Sequence, residues 1–459
     1  MDNIFFLSCF LPLTLAVYLA VPGLKTKNAV LLVFSLLFYS LGGIPSLGLL
    51  LAVALLNYLL GLALRGGTCR RAALAAGLVL DIGFLGFFKY WNFLLSGVLG
   101  LQAPEMSLAV PLGISFFTFK CISYLMDAYR DGKQATGSFP KLLLYICFFP
   151  QITMGPITRF SEFAPQLEKR DHSAEAVAAG LRRFAAGLGK KIILAGTVAT
   201  VADGVFALES VDIRLAWLGT ISYCLQLYFD FSGYIDMVIG LGTCFGFTTR
   251  ENFSYPYTAS SVGSFWRCWH MSLSAWFKDY VYIPLGGNRK GKFRAGINKC
   301  IVFLLCGLWH GAAWTFVVWG AWHGLFSLLE SMGVIPARKL EQGKGRIIGH
   351  IYTLLVVCIG FVMFRATTVS QGLEIIGAMF TGLRFTAAGT VALRTLLNGE
   401  TLLAMAAGIV LSMPISGKLA QRLGKPKELL CSLGALAVLV LCIIQMAAGD
   451  FAPSIYAQF

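Results

Sequence analysis

The sequence predicts an all-α polytopic membrane protein, and three observations predict it. Of its 459 residues, 57% are hydrophobic and only 13% charged, against about 25% charged in an ordinary soluble domain. The apolar residues come in runs of the length, roughly 20 residues, that a helix needs to cross a bilayer core. Basic residues sit in short intervals between those runs, as the positive-inside pattern requires. The formal net charge of +15 is therefore spread over loops between apolar runs, and nucleic acid is not the expected partner.

The first spans are expected near Ile4–Val21, Ala29–Leu41, Leu47–Leu64 and Ala72–Phe88. Met1 to Pro22 lacks a basic leading region and a small-residue cleavage site, so it reads as a retained span and not as a signal peptide. Lys25, Lys27, Arg65, Arg70 and Arg71 place the loops after the first and third spans in the cytoplasm and the N-terminus outside. A fifth apolar stretch, Leu108–Tyr129, is broken by Pro111 and Gly113, and Leu142–Met154 follows. Thr158 to Arg183 is the longest hydrophilic interval, after which Ile192–Phe206 and Leu215–Phe247 resume the membrane portion. Lys190 and Lys191 read as part of a basic loop before them.

Glu251 to Lys299 differs in kind. Phe265, Trp269, Leu273, Trp276 and Phe277 would share one helical face, which predicts an amphipathic helix at the interface or along a polar cavity. Ile297 to Met332 lies between basic loops, and about 35 residues is short for two crossings. A pair of short or re-entrant segments broken near Gly311 is expected, a geometry tolerated where backbone lines a cavity. Ile348–Phe364, Leu402–Ile415 and Leu429–Ala447 complete the spans, with a basic loop at Gly417–Lys427. No repeat or second soluble domain interrupts the chain, which reads as one membrane domain, 1–459, of roughly ten to twelve transmembrane or re-entrant helices.

Five histidines occur, and three of them, His270, His310 and His323, fall in the atypical middle region, each beside a tryptophan. An ionisable side chain at membrane depth is costly and marks function by default, and histidine suits general-base work near neutral pH. One such residue alone would read as a packed core group; three around one broken segment read as a site. Metal is not expected, because no two histidines stand at the i, i+3 or i, i+4 spacing of a shared helix face. The twelve cysteines include no C-x-x-C pair and read as small buried hydrophobes. Cys268, two residues before His270, would point away from it on a helix. Asp230 and Asp236 could anchor helix packing or act directly, and the pattern leaves both open. Gly286-Gly287-Asn288-Arg289-Lys290 is a basic, glycine-rich loop without Walker spacing, suited to a cytoplasmic position near lipid or a cofactor phosphate.

Several blocks together resemble the alginate O-acetyltransferase branch of the membrane-bound O-acyltransferase (MBOAT) family. They are Pro111-Leu112-Gly113-Ile114-Ser115-Phe116, Phe149-Pro150-Gln151 with Gly155-Pro156-Ile157, and Tyr228 to Asp236. Glu251-Asn252-Phe253-Ser254-Tyr255-Pro256-Tyr257, Phe265 to Asp279 and Tyr282 to Arg289 follow, with Trp309-His310-Gly311 and Trp319-Gly320-Ala321-Trp322-His323-Gly324 as the hallmark. The resemblance implies the MBOAT fold around a central funnel or tunnel, with a catalytic core at about 108–366 and peripheral spans at 1–100 and 400–459. It implies His323 as the essential histidine, His270 as the second catalytic position, and His310, Trp319 and Asp279 as supporting residues. Asn288, Arg289 and Lys290 become candidates for donor binding. No resident cofactor and no metal are implied. The expected donor is acetyl-CoA or another acyl thioester, and the expected partners are membrane lipids, an extracytoplasmic acetyl-transfer protein and a polysaccharide acceptor. The expected location is the bacterial cytoplasmic (inner) membrane. Cys268 departs from the branch, which commonly has arginine there, and the tail Ile455 to Phe459 is a looser version of its aromatic ending. D-alanyl transfer to teichoic acids is the rival within the family, and a non-catalytic transporter or export component the rival outside it.

Overall fold

The computed structural model describes residues 1, 3–66, 69–101, 110–415 and 427–449. The loop at Gly417–Lys427 lies almost entirely outside the described residues, and the tail Ile455 to Phe459 wholly so. Among the described residues there is no strand. We label the α-helices α1 (Leu11–Ala20), α2 (Leu24–Ser40), α3 (Ile44–Ala63), α4 (Arg70–Leu85), α5 (Ile114–Arg130), α6 (Phe139–Cys147) and α7 (Phe160–Glu168). Next come α8 (Ala174–Gly189), α9 (Gly196–Phe206), α10 (Ile213–Cys244), α11 (Val262–Cys268), α12 (Met271–Phe277), α13 (Gly291–His310) and α14 (Trp314–Met332). The remainder are α15 (Ala337–Leu340), α16 (Gly345–Arg365), α17 (Val369–Thr381), α18 (Ala387–Leu396), α19 (Gly399–Leu411) and α20 (Lys427–Ala447).

The chain divides into two compact units, Met1–Phe184 with Val238–Arg250, and Ala185–Met237 with Glu251–Phe459. In the first, Gly113 has φ +69°, and a methyl group there would overlap the carbonyl of Ile152. Only glycine fits that approach, and α5 starts directly after it. Every residue of α5 from Ile114 to Leu125 is buried, including Lys120, whose Nζ donates to the Tyr145 carbonyl at 2.9 Å. Between α3 and α4, Asn57 Nδ2 donates to Asp81 Oδ1 at 2.9 Å, the polar contact expected between helices that lack a hydrophobic drive in lipid.

In the second unit, Lys190 and Lys191 are not in a loop. They open a π-helical segment, Lys190–Ala195, that continues α8, and Lys191 is 1% exposed. The reason is pairing: Lys191 is ion-paired with Asp230 and Lys190 with Asp236, the latter at 2.6 Å. Gly187 and Gly233 let the two helix backbones meet at the same place, since a methyl group on either would crowd the other's carbonyl.

Among the described residues, five helical runs are long and apolar enough to cross a membrane: Ile44–Ala63, Arg70–Tyr90, Ala174–Phe206, Gly345–Arg365 and Glu428–Ala447. Phe6–Ala20 and Gly399–Leu411 are shorter apolar helices. Other long helices fall short because they carry charged residues: α10 holds the buried Asp230 and the half-buried Asp236, and α13 holds the exposed Lys292 and Arg294 and the half-buried Lys299. The segment around Gly311 also differs from the expected pair of short pieces. The helices α13 and α14 have 20 and 19 residues, each about 30 Å long at 1.5 Å per residue. The basic residues Lys292 and Arg294 belong to the first turn of α13, which lengthens the hairpin beyond the apolar stretch.

Candidate active site

The amphipathic stretch at 262–277 is two helices, not one. Phe265, Trp269, Leu273, Trp276 and Phe277 are all buried, as the periodicity implied. Between α11 and α12, however, His270 takes the left-handed conformation at φ +44°, a strained choice for a residue with a β-carbon. The segment beside it holds the turn. Met271 N–H donates to the Asn252 carbonyl and Ser254 N–H to the Cys268 carbonyl, both at 3.0 Å. Ser261 caps α11 in a reciprocal capping box with Ser264.

The same Asn252, fully buried, defines the protonation of His270. Its Oδ1 accepts from Ser272 N–H at 2.8 Å, which fixes the amide so that Nδ2 faces His270 Nδ1 at 3.3 Å. An amide nitrogen only donates, so Nδ1 is the acceptor and the neutral ring carries its proton on Nε2. That Nε2 is buried and makes no hydrogen bond. The rings of Phe231 and Trp309 pack against the imidazole at centroid distances of 4.7 and 6.2 Å.

His270 and His310 line a cavity of about 500 Å³ that lies wholly within the second unit. Its walls carry Trp266, Trp269, Phe277 and Phe303, and Arg267, Lys278 and Lys299 give it a cationic character. Glu330 also lines it, but its carboxylate is committed: it accepts from the backbone of Val262 at 2.7 Å, of Gly263 at 2.9 Å and from Tyr352 at 3.2 Å.

His323 is fully buried and is not among the residues lining this cavity. It stands in an aromatic cage, 4.9 Å from Trp266, 5.1 Å from Trp319 and 6.1 Å from Phe303 between ring centroids. Trp266 and Phe303 belong both to the cage and to the cavity wall, which puts His323 directly behind the lining. Neither ring nitrogen of His323 makes a hydrogen bond; His270 therefore does not orient it through one. On the other side, Gly360 of α16 makes room for the ring, since a methyl group there would overlap Nε2. Trp319 bridges the histidines, 5.4 Å from His310 and 5.1 Å from His323.

Asp279 lies half-buried in the π-helical turn Lys278–Tyr282 and does not line the cavity. Of the donor-loop candidates, Asn288 reaches the cavity wall and accepts from the Tyr282 hydroxyl. Arg289 and Lys290 are exposed and lie off the cavity lining. Cys268 is likewise off the lining. Residues that motif reading left without a role are Asn252, Trp266, Lys299 and Gly360. Lys299, a charge at the head of an apolar run, carried a signal in the sequence; Gly360, one glycine among many, carried none.

The family model described as MBOAT, membrane-bound O-acyltransferase family, matches residues 81–366. The chain is 41% identical over 389 residues to the probable alginate O-acetylase AlgI of Azotobacter vinelandii, covering 82% of this chain and 77% of that protein. It is 34% identical over 413 residues to the peptidoglycan O-acetyltransferase of Helicobacter pylori, with 82% and 78% covered. The teichoic acid D-alanyltransferase of Bacillus subtilis matches at 29% over 281 residues, 57% of this chain and 70% of that one. A multi-pass helical chain with histidines in and beside an aromatic, cation-rimmed cavity, matched over well more than half its length by that family model, belongs to the membrane-bound O-acyltransferase family.

Proposed function

We propose that this membrane-bound O-acyltransferase moves acetyl groups from a cytoplasmic acyl thioester to an extracytoplasmic partner protein, for O-acetylation of a cell-surface or exported polysaccharide, in a bacterial cytoplasmic membrane. The observation that carries the reading is the cavity beside His323, lined by His270 and His310 and by the cations Arg267, Lys278 and Lys299. Positive groups attract an anionic donor such as acetyl-CoA, and the aromatic wall excludes water from a reactive ester. The names of the relatives, an alginate O-acetylase and a peptidoglycan O-acetyltransferase, support acetyl as the group and a polysaccharide as the final acceptor. D-alanyl transfer has less support, because that relative matches at lower identity over a smaller share of the chain.

In this reading His323 takes the proton of the acceptor hydroxyl as its oxygen attacks the thioester carbonyl. The carbon–sulfur bond then breaks, and the proton passes to the leaving thiolate. His270 stabilises the charge that develops on the carbonyl oxygen. The test compares the O-acetyl content of surface glycans in cells carrying the native protein, His323→Ala or no copy, with membrane levels matched. Acetyl ester should fall in His323→Ala to the level of cells without the protein. Unchanged acetyl ester in cells without the protein would overturn the reading.

A further inference from the structure

Two catalytic histidines pose a question of roles: either imidazole could act as base or as hydrogen-bond donor. The surroundings of His270 answer it. Its Nδ1 is held as an acceptor by Asn252 Nδ2, and the orientation of that amide is fixed independently by Ser272 N–H on Oδ1. The backbone carbonyl of Asn252 meanwhile receives Met271 N–H, so one buried residue sets both the left-handed turn and the tautomer. What remains is Nε2–H, on a residue 2% exposed that lines the cavity, with no protein acceptor. A buried donor without a protein partner, on a residue that lines a cavity, is satisfied when a ligand oxygen reaches it. His323 has no such partner on either nitrogen, so no hydrogen bond fixes its tautomer.

We propose that Asn252 is a positioning residue that locks His270 as its Nε2–H tautomer, so that His270 meets the acyl carbonyl oxygen as a hydrogen-bond donor and leaves the base role to His323. The proposal rests on the acyl-transfer reading above. The acceptor oxygen bonds to the carbonyl carbon, its proton goes to His323, and the negative charge gathers on the oxygen facing His270 Nε2–H until the carbon–sulfur bond breaks. A neutral donor suits this step because it gives no proton away and must regain none.

The isosteric change Asn252→Asp is the direct test. A carboxylate keeps the hydrogen bond from Ser272 N–H but can only accept from the imidazole, which moves the proton to Nδ1 and leaves a lone pair on Nε2. In membranes supplied with acetyl-CoA, kcat for acetyl transfer should fall about 100-fold, as for loss of one oxyanion donor, while KM for acetyl-CoA holds. The carboxylate also favours the imidazolium, which regains a donor on Nε2, so the ratio of variant to native activity should rise as pH falls. The groups facing the imidazole are the Asn252 amide and the rings of Phe231 and Trp309; the charges sharing its cavity are Arg267, Lys278, Lys299 and Glu330.

A second variant keeps the test decisive if Asn252→Asp fails to fold. His270→Gln retains an N–H near the position of Nε2 but has no basic nitrogen, so it should keep at least tenfold more activity than His270→Ala. Native-like kcat in a folded Asn252→Asp, a pH-independent ratio, or equal inactivity of His270→Gln and His270→Ala would each overturn the proposal. If native membranes transfer no acetyl from the thioester at all, the acyl-transfer reading falls instead, and the two failures are thereby told apart.

Discussion

His323 sits in its cage with two ring nitrogens and no hydrogen bond to either. A buried polar group left unpartnered costs about 1–3 kcal/mol, and a fold selected for stability alone would put an apolar ring there. Replacing His323 by Phe should therefore raise the unfolding temperature of the purified protein in detergent while abolishing acetyl transfer, the trade expected where function has displaced stability. An unchanged or lower unfolding temperature would count against that account of the cage. Gly360 makes the complementary point. A methyl group there overlaps His323 Nε2, so Gly360→Ala should displace the imidazole and cut kcat at least tenfold with little change in protein level. Fluorescence-detected size exclusion and turnover on the same preparation separate the two effects. His270, His310 and His323 were legible in the sequence because a rare ionisable residue in an apolar run stands out against its neighbours. Asn252 and Gly360 were not, because an asparagine in a loop and a glycine in a helix are unremarkable until a partner from far along the chain arrives.

At the scale of the element, the α13–α14 hairpin shows how a buried histidine, His323, is held between closely packed helices. Gly307 and Gly320 let the helices approach until a methyl group on either would press into the other helix's backbone, at Phe316 and Phe303. Close backbones supply the van der Waals packing that replaces the hydrophobic effect between helices in lipid. Gly320→Val should cost about 1–3 kcal/mol by overpacking, read as a lowered unfolding temperature. The Lys191–Asp230 pair is a second fastening, fully inside the second unit. Lys191→Met removes the ammonium that faces Asp230 and should cost about 3–5 kcal/mol, whereas Lys191→Met with Asp230→Leu should recover most of it. Failure of the double variant to recover would assign Asp230 a role beyond packing. Gly320 stands inside a motif block that the sequence shows; the Lys191 pairing is not legible there, since two adjacent lysines before an apolar run read as a basic loop until the π-helical turn carries them inward.

At the scale of the whole molecule, exposure sorts the helices by what they face. Only 6% of the apolar window of α20 and 11% of the Arg70–Tyr90 window are buried by protein, against 61% for Ala174–Phe206. Leucines of α20 such as Leu433 and Leu436 are more than half exposed, a surface fit for lipid chains and costly in water. A lipid-dissolved photoactivatable probe should thus label peptides from α20 and α4 heavily and peptides from α5, buried on nearly all sides, scarcely. Heavy labelling of α5 would contradict its burial.

The sequence by itself determined the membrane character, the helical class, the family and the three histidines, because hydropathy, charge placement and contiguous motif blocks are properties of neighbours along the chain. The tertiary structure alone decided that the 262–277 stretch breaks at a left-handed His270, that Asn252 dictates which of its nitrogens bears the proton, and that Trp266 packs on His323 while lining the cavity. It also placed Asn288 on the cavity wall while leaving Arg289 and Lys290 outside. These depend on which groups meet across tens of residues, and a hydrogen bond or a steric overlap acts only between atoms already brought together.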